Sequence, residues 1–265
     1  MANRELEGIF YRVEGPPGAH VVVFVHGIGM NHRTFEPQIE ALASHYRVAV
    51  LDLPGHGKSA GADLGSRFSQ RAADCAAGIL DELGVTQAVF VGQSLGSLVV
   101  QHVVTRHPER VRATVHLGGM PLHPGYSRLL GFALTPVVYL CRLIPAQAFY
   151  RSFAAHRAIK AETKRFMEQA ISENGKDLVI QLTMETLKDM TDGLPHSIPT
   201  PCLIVFGDQE VSFVRKRGRK WHEEVPGSEL EVIPQAGHIA NQDNPDPFNT
   251  SLTRFLDGLP DAGSE

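Results

Sequence analysis

Val89-Phe90-Val91-Gly92-Gln93-Ser94-Leu95-Gly96-Ser97 places a G-x-S-x-G sequence between an apolar, β-branched run and a helical pattern from Leu98 onwards. That context predicts a sharp strand-to-helix turn lifting the Ser94 hydroxyl above the strand ends. Gly92 and Gly96 leave room for the close backbone approach such a turn requires. The helix N-terminus that follows would aim unpaired N–H groups at negative charge developing nearby. A bare G-x-S-x-G also fits a plain glycine-rich turn, so the flanking strand and helix carry the assignment of Ser94 as a nucleophile.

Further apolar runs lie on both sides of this turn, at Val21–Val25, 48–51, 113–117, 202–206 and 230–233. They alternate with helical patterns, which predicts a mainly parallel α/β sheet covered by helices on both faces. Strands buried on both faces read as continuous apolar runs, and these mostly do. Ala72, Cys75, Ala76, Ile79, Leu80 and Leu83 recur at three- and four-residue spacing, predicting a helix over 68–83 with Gly84 as its C-cap.

Residues 121–196 break this rhythm. They hold no convincing strand, carry prolines at 124, 136 and 145, and are mostly helical in pattern. The expected organisation is a core of residues 1–120 and 197–265, with a helical cap of residues 121–196 over one end of the sheet. The apolar stretch 129–150 contains Pro136, Arg142 and Pro145, whereas spanning a bilayer needs about 20 nearly uninterrupted apolar residues. It is expected to bury a face on the core or line a pocket, with a lid resting on a membrane surface as the alternative. The tail after Pro260 is expected to fray.

Two loops complete a candidate site. His26-Gly27-Ile28-Gly29-Met30 follows the first strong strand and can present the Ile28 N–H beside that of Leu95, forming an oxyanion hole supported by His26, Gly27, Gly29 and Gln93. Each such donor is commonly worth a factor of about 10²–10³ in rate. Gln235-Ala236-Gly237-His238 follows the last strand. A serine hydroxyl is a poor nucleophile until a base takes its proton, and histidine titrates in the right range. Among 13 histidines, His238 stands out because it sits on a loop behind Gly237, where a core histidine would be unusual.

Phe24-Val25-His26-Gly27, Asp52-Leu53-Pro54-Gly55-His56-Gly57-Lys58-Ser59, the Ser94 turn and Gly237-His238 together resemble the α/β-hydrolase superfamily, in its capped branch of serine esterases, lipases and carbon–carbon-bond hydrolases. The resemblance runs from Val21 through Leu256. It implies an eight-stranded, mostly parallel sheet, a cap after the sixth strand, and no cofactor. It also implies an acid, usually aspartate, three residues after the glycine that ends the seventh strand. In Phe206-Gly207-Asp208-Gln209-Glu210 that position is Glu210, with Asp208 as the alternative acid. The acid must orient the imidazole and stabilise its positive form, which a glutamate can do if its loop sits slightly further back. Asp208 would otherwise close the turn, and Asp243 would cap the last helix. Because little precedes residues 8–13, the first antiparallel strand is expected to be short or merged with the next.

Composition limits the partners. The 265 residues are 43% hydrophobic and 20% charged, with a net charge of −4, so nothing draws the chain to nucleic acid or into stable membrane association. The basic run 215–220 is expected to be a solvated helix face, and Trp221 a half-buried anchor. Neither His26 and His32 nor His102 and His107 has metal-ligand spacing with supporting carboxylates, so no metal is expected. Cys75, Cys141 and Cys202 are expected as buried free thiols, and residues 1–7 hold no apolar run, so a cytoplasmic protein of unassigned oligomeric state is expected. The expected activity is acyl-enzyme hydrolysis of a small or medium, hydrophobic carboxylic ester. Cleavage of a carbon–carbon bond, lactone or thioester, or non-catalytic binding of a small molecule, are the alternatives.

Overall fold

The computed structural model describes residues 2–123, 125–195 and 201–260, without the side chains of Ala2 and Leu130. The strands are β1 (Ala2–Leu6), β2 (Ile9–Glu14), β3 (Val21–Val25), β4 (Arg47–Leu51), β5 (Ala88–Gln93), β6 (Val111–Leu117), β7 (Cys202–Gly207) and β8 (Glu229–Ile233). The helices are α1 (Glu36–Leu42), α2 (Phe68–Leu83), α3 (Leu95–Arg106), α4 (Arg128–Leu140), α5 (Ala146–Ala155), α6 (Ala161–Asn174), α7 (Lys176–Asp192), α8 (Ser212–Glu224), α9 (Ala240–Asp243) and α10 (Pro245–Asp257). One eight-stranded sheet runs in the order β1-β2-β4-β3-β5-β6-β7-β8. β2 pairs antiparallel with both β1 and β4; the other pairs are parallel.

Successive side chains of a strand face opposite sides, so a central strand covered on both sides must be apolar throughout. In β3, Val21, Val23 and Val25 pack with Ala72, Leu80 and Val99 of α2 and α3. Val22 and Phe24 pack on the other face with Ile39, Leu42, Phe248 and Leu252 of α1 and α10. Gly84 ends α2 at φ 68°, its N–H donating back to the Leu80 and Asp81 carbonyls, as the helical spacing and glycine cap predict.

Several expectations need correction. The first antiparallel strand is short, as one of the two expectations had it, and is not merged with the next, because Glu7 (φ 49°) and Gly8 (φ 80°) make the two-residue turn that joins twisted strands. It was hard to read because Ala2–Leu6 is a polar edge strand with no apolar run. At the opposite edge, β8 is not buried on both faces, and Val232 is exposed. Trp221 is fully buried rather than half-buried, its ring 4.7 Å from that of His116. Cys75 and Cys202 are buried thiols, but Cys141 is half-exposed. The basic run is largely solvated, although Arg215 and Arg217 are half-buried, with Arg217 lying over the Tyr126 ring.

Helices α4 to α7 all lie between β6 and β7. Met167, Ile171 and Val179 of α6 and α7 pack on Met30 and Ile239, which belong to the loops after β3 and β8. The expected pocket lining is corrected for α4: Leu129, Phe132, Leu134, Val137 and Leu140 are exposed, Val138 borders the apolar cavity beside the serine cleft, and Phe132 borders only an open groove between α4 and α7. The 196/197 boundary, Pro124 and the tail after Pro260 lie outside the described residues, as does the Leu130 side chain.

Candidate active site

Ser94 sits between the end of β5 and the first residue of α3 at φ 54°, ψ −114°, a backbone state that costs a non-glycine residue about 1–3 kcal/mol. Glycine on both sides makes that turn possible. A Cβ on Gly92 would lie 2.3 Å from the Gly96 carbonyl oxygen, and one on Gly96 would lie 2.0 Å from that of Val25. The turn is pinned by Ser94 N–H donating to Leu117 O (2.9 Å) and Ser97 N–H donating to Ser94 O (2.9 Å).

His238 reaches this turn from the loop after β8. Ser94 Oγ is 2.8 Å from His238 Nε2, and His238 Nδ1 is 2.6 Å from Glu210 Oε2. A carboxylate can only accept, so Nδ1 carries the proton and Nε2 is left to accept from the serine hydroxyl. Glu210 is buried at the end of β7, its second oxygen accepting from the Val211 N–H (2.8 Å). Burial alone would raise its pKa. The His238 charge and hydrogen bond, the Val211 N–H and the nearby Arg157 outweigh it, holding the carboxyl below its ordinary value.

The structure separates the two candidate acids. Asp208 accepts from the Ala236 N–H (3.1 Å), and its own N–H donates to Ile233 O (2.9 Å), so it closes the turn between β7 and the His238 loop. Asp243 does not cap α10. Its buried carboxylate accepts from the Gly237, Ile159 and Lys160 N–H groups, tying the α5–α6 connection to the His238 loop. Removing it would strand three donors, each unsatisfied buried group costing about 1–3 kcal/mol. Asp243→Ala is therefore expected to lower unfolding free energy by about 3 kcal/mol in urea denaturation, and a change below about 1 kcal/mol would contradict this role.

The loop after β3 is fastened from several sides. His26 Nδ1–H donates to Gly27 O (2.8 Å) while its Nε2 accepts from Leu53 N–H (3.0 Å). His56 Nε2 accepts from Gly29 N–H (3.1 Å). Burial pushes His26 down to about 4 and His56 to about 3, so both are neutral scaffold groups at pH 7. Gly27 abuts the Gln93 amide, where an added Cβ would meet Oε1 at 2.3 Å. Asn174, from α6, donates to Gly29 O (2.8 Å) and Met30 O (3.0 Å) and accepts from Gly57 N–H (2.7 Å). Among the described residues, no protein acceptor takes the Ile28 or Leu95 N–H. His32 pairs with Asp52 and His107 with Asp74, and no three potential metal-ligating side chains of the described residues converge.

A cleft of about 200 Å³ opens over the serine, bordered by Ile28, Gln93, Ser94, Arg157, Thr183 and His238. A second, mostly apolar cavity of about 230 Å³ lies beside it under α4, lined by Val138, Ile144, Phe149 and Ile180. The two share Phe153, Arg157 and Thr183 as walls. The Arg157 guanidinium lies 3.6 Å from the Phe153 ring centroid, and its backbone carbonyl accepts the His238 N–H (2.8 Å). Burial pulls Arg157 down to about 10 against the opposing pull of Glu210. Arg157, Asn174 and Asp243 escaped the sequence reading because they act on backbone groups more than 80 residues away or, for Asp243, look identical to an ordinary helix cap.

Residues 20–170 match the family model for the alpha/beta hydrolase fold. The chain is 28% identical over 261 residues to the pimeloyl-[acyl-carrier protein] methyl ester esterase of Vibrio cholerae, covering 95% of this chain and 96% of that protein. Among solved structures, Est816, described as an N-acyl homoserine lactone degrading enzyme, aligns with a TM-score of 0.77 and 25% identity over 96% of this chain and 100% of its own. A thermophilic esterase from Thermogutta terrifontis aligns with a TM-score of 0.81 and 20% identity over 95% of this chain and 93% of its own. With more than half its length matched and the strand order and Ser94 turn in place, the chain belongs to the alpha/beta hydrolase fold family.

Proposed function

We propose that this protein hydrolyses carboxylic esters through an acyl-enzyme, with Ser94 as nucleophile, His238 as general base and Glu210 as the acid that orients it. The observation that carries this reading is the continuous relay of 2.8 Å from Ser94 Oγ to His238 Nε2 and 2.6 Å from Nδ1 to Glu210. As Ser94 Oγ adds to the ester carbonyl carbon, its proton passes to Nε2, and the carbonyl electron pair moves onto oxygen. The Ile28 and Leu95 N–H groups stabilise that oxyanion, the latter at the N-terminus of α3. Collapse breaks the bond to the alcohol oxygen, which leaves with the proton from Nε2. A water then gives a proton to Nε2 and attacks the acyl-serine, releasing acid and restoring Ser94.

Residues 121–196 act as the cap, and the apolar cavity under α4 takes the hydrophobic part of the ester. A lactone is the second substrate class, favoured by the likeness to Est816; its alcohol stays tethered to the acyl product, and the chemistry is unchanged. The test is a series of p-nitrophenyl esters of increasing acyl length. Each methylene buried in the cavity is worth about 0.8 kcal/mol, so kcat/KM is expected to rise about fourfold per added carbon until the cavity is full. Hydrolysis of none of the esters would overturn the proposal, and a flat series would overturn the assignment of the cavity.

A further inference from the structure

We propose that α4 and the turn after it form a peripheral docking surface for an anionic lipid bilayer. Leu129, Phe132 and Leu143 are 78%, 79% and 80% exposed, and Val137, Tyr139 and Leu140 join them. Among the described side chains of this segment, only Gly131, Thr135, Val138 and Cys141, spaced by three and four, are half-buried, and Gly131 faces Thr191 of α7. The helix therefore meets the protein along one narrow strip and is apolar on its remaining sides. A helix that is apolar all round belongs in a core or in lipid, and this one lies outside the core. A rigid protein partner would cover one side of it, whereas a fluid interface can cover three.

Charge identifies the kind of surface. The chain carries a net charge of −4, yet from Pro121 to Lys160 it holds no Asp or Glu, and five cations: Arg128, Arg142, Arg151, Arg157 and Lys160. Arg128 and Arg142 flank the exposed apolar run. Lys176 joins the second end, its Nζ donating to Arg142 O (2.9 Å) and Ile144 O (2.8 Å). A carboxylate near α4, Asp192, lines the groove between α4 and α7 together with Arg128 and Lys188. Thirteen helical residues extend about 20 Å, short of a hydrocarbon core of about 30 Å, and no described helix is long and apolar enough to cross a membrane. The geometry is that of a helix lying in the interface plane, apolar side down, with basic ends at the headgroups.

The test is flotation of the whole protein with phosphatidylcholine vesicles containing phosphatidylglycerol, against phosphatidylcholine alone. Association is expected with the anionic vesicles, at least tenfold weaker with the neutral ones, and reduced by salt. Arg128→Gln and Arg142→Gln should each lower it about fivefold. Phe132→Asp combined with Leu143→Asp should abolish it while hydrolysis of a short soluble ester stays within about twofold of wild type. Ser94→Ala should float like wild type, so lipid docking stands or falls separately from the hydrolytic reading. Absence of flotation would overturn the proposal. So would a dimer in light scattering that the double aspartate variant splits, which would assign the face to a second copy.

Discussion

Ser94→Ala is expected to lower kcat for ester hydrolysis by about 10⁴–10⁶-fold, with the folded structure unchanged. On the proposed mechanism the hydroxyl makes the bond to the acyl carbon, and among the described residues Ser94 Oγ is the hydroxyl hydrogen-bonded to His238 Nε2 (2.8 Å). What survives is the action of the two oxyanion N–H groups and a water activated by His238, which accounts for a residual rate above water. Stability should change little, because alanine inherits the same positive-φ backbone and Ser94 is already paired through its main chain to Leu117 and Ser97. Steady-state kinetics and thermal melting of the variant check both halves. A variant retaining more than about 1% of wild-type kcat would contradict the role of Ser94.

The second large effect separates the acids. Glu210→Gln is expected to lower kcat by about 10⁴-fold, because an amide can donate to Nδ1 and so stabilise the wrong imidazole tautomer, leaving a proton on Nε2. It also removes the charge that stabilises the imidazolium as the serine proton arrives. Asp208→Asn should stay within about tenfold of wild type, because its carboxylate accepts from Ala236 N–H, a bond the amide oxygen can keep. The pair of variants is decisive because the residues share a loop and differ in what they touch. If Asp208→Asn were the one to abolish turnover, the assignment of Glu210 would fail.

Much of this was legible in the sequence for a physical reason. Central parallel strands must be apolar on both faces, so β3, β5 and β7 announce themselves as unbroken runs. The Ser94 turn needs glycines where two backbones nearly touch, and Gly92 and Gly96 stand there. Glu210 was the position that the family resemblance implied for the acid, with Asp208 as the alternative, and its residue type departs from the usual aspartate. Edges and surfaces were harder. β1 pairs through backbone atoms and carries polar side chains, so it leaves no apolar trace. In α4 the trace misled: Leu129, Phe132 and Leu140 read the same whether a residue lines a pocket, packs on a core or faces outward. Asp243 showed the limit for polar residues, since an aspartate just before a helix looks like a cap until its carboxylate is seen on Gly237, Ile159 and Lys160.

The central claim is that Ser94 is an activated nucleophile open to the cleft, and a fluorophosphonate tests it most directly. Such a probe phosphonylates a serine oxygen and expels fluoride only where a base takes the hydroxyl proton. Intact mass and peptide mapping of wild type and Ser94→Ala at neutral pH should show one adduct per chain, on Ser94, absent from the variant. No adduct on wild type, or one that persists on Ser94→Ala, would contradict the account and favour a non-catalytic binding role for the cleft.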